Sequence, residues 1–583
     1  MCENKEIKQI EKVRHSLAHL LAIEVLNFDP DAKLAIGPII DDGFYYDFEF
    51  SGGKNPSEND LKNFKKGIKK LISSNLDFVF EEIDETTARQ IFANQPYKLD
   101  LINELVANNE VLSIYKTGNF IDLCAGPHVK NTKEINAEAF DIKKIAGAYW
   151  RGDEKNKMLT RIYGVAFESR DKLEEYNQMI KDAAERDHRK IGREMGLFTF
   201  SDMVGAGLPM FTPKGTCIRN AIKDKLFEIS RRHGGQEVTI PHLAKMKLYQ
   251  TSGHAEKFKD ELLLVKSHYD EFVLKPVNCP HHTQIYASEP RSYRDLPIRY
   301  IESTMQYRDE KPGEIGGLTR VRAITVDDGH TFCTPDQIKQ EVGAIAKIIE
   351  EFYTDLNMYG NHWVSLSIRD SKNKDGYIGT EENWDKSEKM LQEVSNDLGL
   401  NAKVVEGEAA IYGPKLDYMF RDSLGRETQL ATIQLDFNMP ARFKLEYTER
   451  DGSKQTPVMI HRAILGSYER FLAILIEHFA GNFPVWMAPV QVKILPIAEP
   501  HRKKAREVFE SLRNANFRVE FDNSKDGFGK KVRNAKKEKV PYFIIIGDKD
   551  IEEGKITVES RDGGKIGMMS IDDFIERLDS EIK

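Results

Sequence analysis

The chain has 583 residues, 40% hydrophobic and 31% charged, with a formal net charge of -8. That length accommodates roughly three or four domains of ~150 residues, and no run approaches the ~20 apolar residues of a membrane-spanning helix. The acidic balance does not advertise nucleic-acid binding, but a basic groove can sit on an acidic body.

The opening stretch, MCENKEIKQIEKVRHSLAHLL, has no apolar segment followed by a small-residue cleavage site, so no secretory signal is expected. The cysteines, Cys2, Cys124, Cys217, Cys279 and Cys333, are odd in number and scattered. That pattern suits reduced thiols in a cytoplasmic protein, not a disulfide framework.

Residues 1–170 read as a unit of mixed helix and sheet. A helix is expected over EIKQIEKVRHSLAHLLAIEVL, where Ile10, Val13, Leu17, Leu20, Leu21 and Val25 recur at helical spacing. A strand pair follows in AIGPIIDDGFYYDFEF, with Asp-Gly as a hairpin-type turn signal. Residues 171–194 alternate in charge and lack Pro, as an exposed helix linking two domains would.

Residues 195–488 carry strand-like runs, HWVSLSIR, KLDYMFRD and TQLATIQLDF, and then an apolar helix, AILGSYERFLAILIEHF. Strands with flanking helices suggest an antiparallel sheet of α+β type. In that helix Arg470 is expected to face inward, because Phe471, Leu472 and Ile474 beside it are apolar; a buried arginine needs an anionic partner. From 489 to 583 the strands VQVKILPI, FRVEFD, YFIIIGD and KITVES alternate with two helices, which implies a small, mostly parallel α/β domain. Its basic cluster, Lys525, Lys530, Lys531, Arg533, Lys536, Lys537 and Lys539, suits phosphates or a solvated helix face equally.

Several segments concentrate chemistry. Cys279, His330 and His461 lie in KPVNCPHH, VRAITVDDGHTFCT and PVMIHRAILGSYERF. They are zinc-ligand types, and a three-ligand zinc keeps a position open for substrate. Their spacing alone also fits three unrelated residues. The segment MQYRDEKPGEIGGLTRVRAITVDDGH places Arg308 and Glu310 at the entry of a long loop and Arg320 and Arg322 at its exit. Planar guanidinium groups can grip two phosphate oxygens at once; a surface hairpin with charged residues is the alternative. HSLAH puts His15 and His19 on one helical face, and DLCAGPH spaces Cys124 and His128 alike. Out of context such a histidine pair is more often incidental than functional; the four together also suit a metal.

A strand ending in Pro241, the Arg308 loop and the glycine-led Arg470 helix together resemble the three signatures of class II aminoacyl-tRNA synthetases. The phrases KPVNCP, LYQTSGHAEKFKDEL, IYGPKLDY, TQLATIQLDF and PVMIHRAILGSYERF resemble those of threonyl-tRNA synthetases, and the likeness runs from about residue 8 to the C-terminus. It implies a multidomain α+β and α/β protein. The parts would be an N-terminal α+β editing domain (1–170), a linker helix (171–194), a class II antiparallel-sheet catalytic domain (195–488) and a C-terminal α/β anticodon-binding domain (489–583). The implied activity is ATP-dependent attachment of L-threonine to tRNA(Thr) through threonyl-adenylate, with hydrolysis of mischarged seryl-tRNA(Thr). The alternative is an inactive paralogue that binds RNA as a regulator.

The resemblance also implies roles. Arg308 and Arg470 are the catalytic arginines. Arg308, Glu310, Arg320, Gln429, Thr432 and Arg470 bind ATP with Mg²⁺. Asp328, Tyr412 and Gln434 face threonine. Cys279, His330 and His461 hold one Zn²⁺ per subunit, with His254, His282 and Cys333 structural or supporting. His15, His19, Tyr46, Lys98, Asp122, Cys124 and His128 form the editing site. A homodimer is implied, with the Pro241 motif at its interface. Ile324, Val326 and Glu559 depart from the family pattern, and the chain begins at the editing unit with no room for a preceding ubiquitin-like domain.

Overall fold

The computed structural model describes residues 8–257, 261–373, 376–422 and 425–582; Cys2 lies outside them. The chain divides into two compact units, Met1–Lys181 and Asp182–Lys583.

In the first unit the helix Gln9–Phe28 buries Val13, Leu17, Leu20, Leu21 and Val25 against the strand Gly43–Glu49. That strand belongs to an antiparallel sheet ordered Lys33–Leu34, Gly43–Glu49, Met158–Ala166, Phe140–Tyr149, with Ile39–Ile40 paired on Gly43–Glu49. The hairpin turn falls on Asp41 and Asp42, since Ile40 pairs with Gly43. A second antiparallel sheet joins Phe78–Glu82, Ser113–Thr117 and Phe120–Leu123.

The charged stretch expected as one helix forms two, Arg170–Arg186 and His188–Met195. Asp187 separates them: its side chain accepts from the Arg189 N–H, which caps the second helix. The first helix is largely exposed. The second buries His188, Ile191 and Met195, the last two in the main core of the second unit.

That core lies on an eight-stranded sheet. Its order is Gln236–Glu237, Ile298–Tyr307, Ala323–Cys333, Val458–Ala463, Glu427–Asp436, Lys415–Arg421, His362–Ile368, Lys403–Glu406. The six central strands are antiparallel and the two edge strands pair parallel. The helices Ile338–Asp355 and Tyr468–His478 bury Ile345, Ile349, Phe352, Phe471 and Leu475 in the core beside it.

The apolar helix begins later than the sequence pattern suggests. Ala463 ends a strand, Gly466 turns the chain at φ +71°, and Ser467 caps the helix by accepting from the Arg470 N–H. Glycine tolerates that positive φ without steric cost. The inward charge on this helix is Glu469, 2% exposed and accepting from the Thr325 N–H at 2.9 Å. Arg470 is exposed, a correction to the inward orientation expected for it.

The last domain has a five-stranded sheet ordered Val519–Phe521, Val492–Pro496, Tyr542–Ile546, Ile556–Ser560, Gly564–Met569. The first three strands are parallel and the last two antiparallel. Two members of its basic cluster have structural partners: Lys531 is buried and donates to Pro496 O, and Lys539 donates to Ala480 O.

Asp327 and Arg462 lock the centre of the large sheet. Asp327 accepts from Ile464 N–H at 2.7 Å and faces Arg462 Nη1 at 3.4 Å, both side chains nearly inaccessible. Asp327→Ala would strand the buried guanidinium, at a cost of about 3–5 kcal/mol. Urea unfolding followed by tryptophan fluorescence should therefore show a markedly lower midpoint for the variant; equal midpoints would contradict this role.

Candidate functional site

Two clusters of chemistry-bearing side chains form in this fold, one in each unit. In the second unit, Cys279 is the first residue of the helix Cys279–Ala287, a position whose dipole favours an anionic sulfur. His330 and His461 stand on adjacent antiparallel strands and pair directly, so their side chains share a face. Their ring centroids are 4.8 Å apart. One ligand atom from each of Cys279, His330 and His461 lies within 4.8 Å of the others, and all three residues are buried.

The surroundings orient both imidazoles. His461 Nε2 is 2.9 Å from Asp436 Oδ2. His330 Nδ1 is 2.7 Å from His282 Nδ1, and His282 Nε2 is 3.4 Å from Glu302 Oε2. These contacts leave His461 Nδ1 and His330 Nε2 for an ion; carboxylate-backed histidines are the usual support of metal ligands. Burial pushes the Cys279 thiol well up, so a thiolate there requires a cation. One thiol and two oriented imidazoles fit zinc and leave a coordination position open.

A cavity of about 240 Å³ opens on this trio. Arg308, Asp328, Tyr412 and Gln434 also line it, as do Gln306, Asp327 and Arg462, which the sequence reading did not single out. Gln434 pairs with His461 across the sheet, and the Tyr412 ring stacks on His461 at 4.5 Å. The Tyr412 hydroxyl donates to Gln434 Oε1, and Asn278 Nδ2 donates to Asp328 Oδ2 at 3.0 Å. Gln429 and Thr432 lie outside the lining. Both donate to Asp417 Oδ1, at 2.6 and 2.9 Å.

The Arg308 loop is held by its own backbone and charges. Arg308 N–H donates to Arg322 O, and Arg322 donates to Glu310 O. Arg320 bridges Glu310 at 2.7 Å and Glu314 at 2.6 Å. Arg470 makes no ion pair among the described residues; the residue is exposed by surface area, and partial desolvation by its neighbours lowers its pKa. A cation so placed favours an incoming anion.

In the first unit, His15 and His19 on one helix face meet the turn that carries Cys124 and His128. Cys124 Sγ lies 3.3 Å from both His15 Nε2 and His128 Nε2. Asp122 is the hub behind them: Tyr46 Oη donates to it at 2.6 Å, Lys98 Nζ lies at 2.5 Å and His19 Nε2 at 3.5 Å. A cleft of about 610 Å³ is lined by His15, His19, Lys98, Asp122 and Cys124, while Tyr46 and His128 stand outside its lining. Burial lowers the pKa of His15, His19 and His128, and raises the Cys124 thiol to about 12. At neutral pH the cluster therefore presents neutral imidazoles and a protonated thiol, suited to orienting water rather than to nucleophilic sulfur chemistry.

Of the remaining histidines and cysteines, His282 backs His330, and His254 is buried with its ring 6.2 Å from that of Tyr412. Cys333 belongs to the hydrophobic core. The sequence reading missed Ser16, which contacts His128 Nδ1 at 3.2 Å, and Asn278, Glu302 and Asp436, which hold the second cluster in place. Asn278 adjoins Cys279 and Asp436 ends a strand run, but neither carries a periodic signal that separates it from ordinary polar residues.

Three segments match described families: residues 258–479 the tRNA synthetase class II core domain (G, H, P, S and T), 491–581 an anticodon binding domain, and 112–163 the threonyl and alanyl tRNA synthetase second additional domain. A threonine–tRNA ligase from Gloeobacter violaceus is 44% identical over 585 residues, covering 99% of this chain and 93% of that protein. The corresponding ligase of Synechococcus elongatus is 44% identical over 590 residues, covering 100% and 96%. Among solved structures, the RNA binding domain of threonyl-tRNA synthetase from Cryptosporidium parvum superposes with a TM-score of 0.65 at 34% identity, covering 68% of this chain and 98% of that one. A cavity built on Cys279, His330 and His461, a histidine–cysteine cleft in a separate unit and near-complete coverage of these relatives lead to one conclusion: the chain belongs to the threonine–tRNA ligase family, the threonyl-tRNA synthetases of class II.

Proposed function

We propose that this chain attaches L-threonine to tRNA(Thr) through threonyl-adenylate in its second unit and hydrolyses seryl-tRNA(Thr) in its first. The observation that carries the reading is the convergence of Cys279, His330 and His461 in one cavity with Arg308 and Gln434. Arg308 holds the ATP α-phosphate and the amino-acid carboxylate. Glu310 takes the adenine amine, while Arg320 and Arg470 hold the outer phosphates with Mg²⁺. Gln429 and Thr432 contribute to the ATP site from its edge. The threonine carboxylate attacks the α-phosphorus, pyrophosphate leaves, and the arginines stabilise the developing charge. The terminal ribose of the tRNA then takes the threonyl group.

Asp328, Tyr412 and Gln434 orient the amino acid. Threonine and valine are nearly isosteric, and shape alone separates such pairs only about 10²-fold. A zinc ion held by Cys279, His330 and His461 would supply a Lewis acid able to take the substrate's amino group and side-chain hydroxyl, a test that valine fails. Serine passes that test, and its missing methyl is worth only about 1–3 kcal/mol. A second sieve is therefore needed. In the first unit His15 and His19, held by Cys124 and His128, orient a water that attacks the seryl ester carbonyl; the ester C–O bond breaks and the water's proton ends on the departing ribose oxygen, while Lys98 and Tyr46 position Asp122.

No helix among the described residues is long and apolar enough to cross a membrane. The enzyme works in the cytoplasm as a homodimer, with the segment around Pro241 at the interface.

ATP–pyrophosphate exchange should proceed with threonine, more weakly with serine and barely with valine. Chelation of the metal should lower the threonine-dependent rate by at least about tenfold. Exchange that ignores threonine would refute the reading, and full activity after zinc removal would refute the metal's part in it. The His15→Ala/His19→Ala double variant should accumulate seryl-tRNA while threonine activation persists; continued clearance of seryl-tRNA would show that hydrolysis occurs elsewhere.

The same histidines predict a pH profile. Burial lowers both pKa values beneath the ordinary 6.5, so the imidazoles stay neutral as pH falls past that value. Single-turnover hydrolysis of seryl-tRNA should lose less rate between pH 7.5 and 6 than a base with the ordinary imidazole pKa would. A rate that falls in proportion to free imidazole titration would contradict this. Folding stability should follow the same sign. The unfolded chain binds protons that the folded one excludes, so the contribution is present above 6.5 and is lost as pH falls.

A further inference from the structure

His188 has no place in the roles above, yet it touches both elements that carry the ATP-facing arginines. It opens the helix His188–Met195, and its side chain is 6% exposed. Its Nδ1 lies 2.7 Å from Glu477 Oε1, near the end of the Tyr468–His478 helix that bears Arg470. Its backbone N–H donates to the same oxygen at 3.1 Å. On the opposite edge of the ring, the Leu318 N–H donates to Nε2 at 3.2 Å. Leu318 sits at the tip of the loop that carries Arg308, Glu310 and Arg320.

These bonds define the tautomer. A backbone N–H only donates, so Nε2 is unprotonated and accepts; Nδ1 carries the hydrogen and donates to the carboxylate. Asp187, His188 and Glu477 stand close enough together to hold an ion. Both ring nitrogens of His188 are already engaged, however, so the group acts as a bonded tether and not as a metal site. Glu477 is secured on its other side by Arg426, which also pairs with Asp422. Burial raises the Glu477 carboxyl, but the bonds from His188 and Arg426 outweigh it and hold it below its ordinary value.

Packing closes the back of the loop as firmly. Leu318 is fully buried in the main core with Ile191 and Met195 of the His188 helix. Gly317 has φ +50°, and a Cβ there would stand 2.3 Å from His188 Nε2. The glycine allows the loop to approach the ring closely enough for the Leu318 bond.

We propose that His188 is a positioning residue for ATP, tying the tip of the Arg308–Arg320 loop to the Arg470 helix so that both sets of arginines stand at one spacing. This rests on the reading that the loop and Arg470 face the triphosphate. A triphosphate bridging two elements needs both at once, and a misplacement of about 1 Å can cost up to ~10²-fold.

The test is ATP–pyrophosphate exchange with separate KM values for ATP and threonine, in Arg320→Ala, His188→Asn, His188→Gln and Gly317→Ala. Asparagine matches the Nδ1 position and keeps the Glu477 bond but cannot reach Leu318; glutamine reaches the Nε2 position. His188→Asn and Gly317→Ala should each raise the ATP KM roughly tenfold, with the threonine KM within about twofold, and His188→Gln should recover part of the loss. Seryl-tRNA hydrolysis, which belongs to the other unit, should be unchanged in every variant, and Tm with the threonine KM reports folding of the second unit. Gly317→Ala leaves His188 itself intact, so it carries the test if His188→Asn does not fold. An ATP KM that rises in Arg320→Ala but stays unchanged in His188→Asn and Gly317→Ala overturns the inference alone. An ATP KM unmoved by Arg320→Ala overturns the reading of the loop, and the inference with it. Equal rises in both KM values with a lower Tm assign His188 a purely structural role and also overturn it.

Discussion

The antiparallel register that sets His330 opposite His461 is the constraint on which the second unit's chemistry depends. Side chains alternate faces along a strand, so a slip by one residue would turn Asp328 and His330 away from the cavity together. The same register places Gln434 opposite His461 and Gly329 opposite Arg462. The Asp327–Arg462 contact then binds the two central strands by charge as well as by backbone hydrogen bonds. A candidate metal site built this way would inherit the rigidity of the sheet, and of its three residues Cys279 comes from outside it, on the first turn of a helix.

The two clusters meet different chemical demands by different means. The one around Cys279 holds its imidazoles through Asp436, His282 and Glu302, which direct one nitrogen of each ring toward an ion. The one around Cys124 turns its sulfur onto two imidazoles and gathers Tyr46, Lys98 and His19 around Asp122. Burial drives His19 in one cluster and His330 in the other toward neutrality. In one case neutral imidazole suits the proposed handling of water, and in the other the metal-ligand role proposed for it. A hydroxyl test that serine passes and a separate hydrolytic cleft are complementary, because a missing methyl is too small a difference for binding to reject.

The loop and helix that bear the arginines show how a mobile kind of element is made firm. The front of the loop carries Arg320 and Glu310 in an ion pair, and its back is held by Leu318 in the core and by the His188 ring. Beyond the same helix, Lys539 of the last domain reaches Ala480 O, and Arg518 donates to the carbonyls of Trp486 and Ala488. Lys539, from the basic cluster that suited phosphates or a solvated helix face equally, thus makes a structural bond beyond its own domain.

Much of this was legible without coordinates. The periodicity of Val13, Leu17, Leu20, Leu21 and Val25 announced the first helix, and alternation announced the strands His362–Ile368, Lys415–Arg421 and Glu427–Asp436. Residue type made Cys279, His330, His461, His15, His19, Cys124 and His128 candidates, and the resemblance of the motifs around them to those of threonyl-tRNA synthetases singled them out. What the sequence could not decide were contacts whose physics is non-local. Arg470 and Glu469 are neighbours of similar polarity, and only the packed helix buries the glutamate under Thr325 and exposes the arginine. The break at Asp187 and the late start at Ser467 each depend on a capping bond within a particular turn. Asp436, Glu302 and His188 are ordinary polar letters until the fold brings His461, His282 and Leu318 to them. The sequence by itself determined the elements and the reactive side chains, since periodicity and chemistry are local properties. The tertiary structure alone decided which of those side chains meet and what holds them, since burial and hydrogen-bond partners come from residues far apart along the chain.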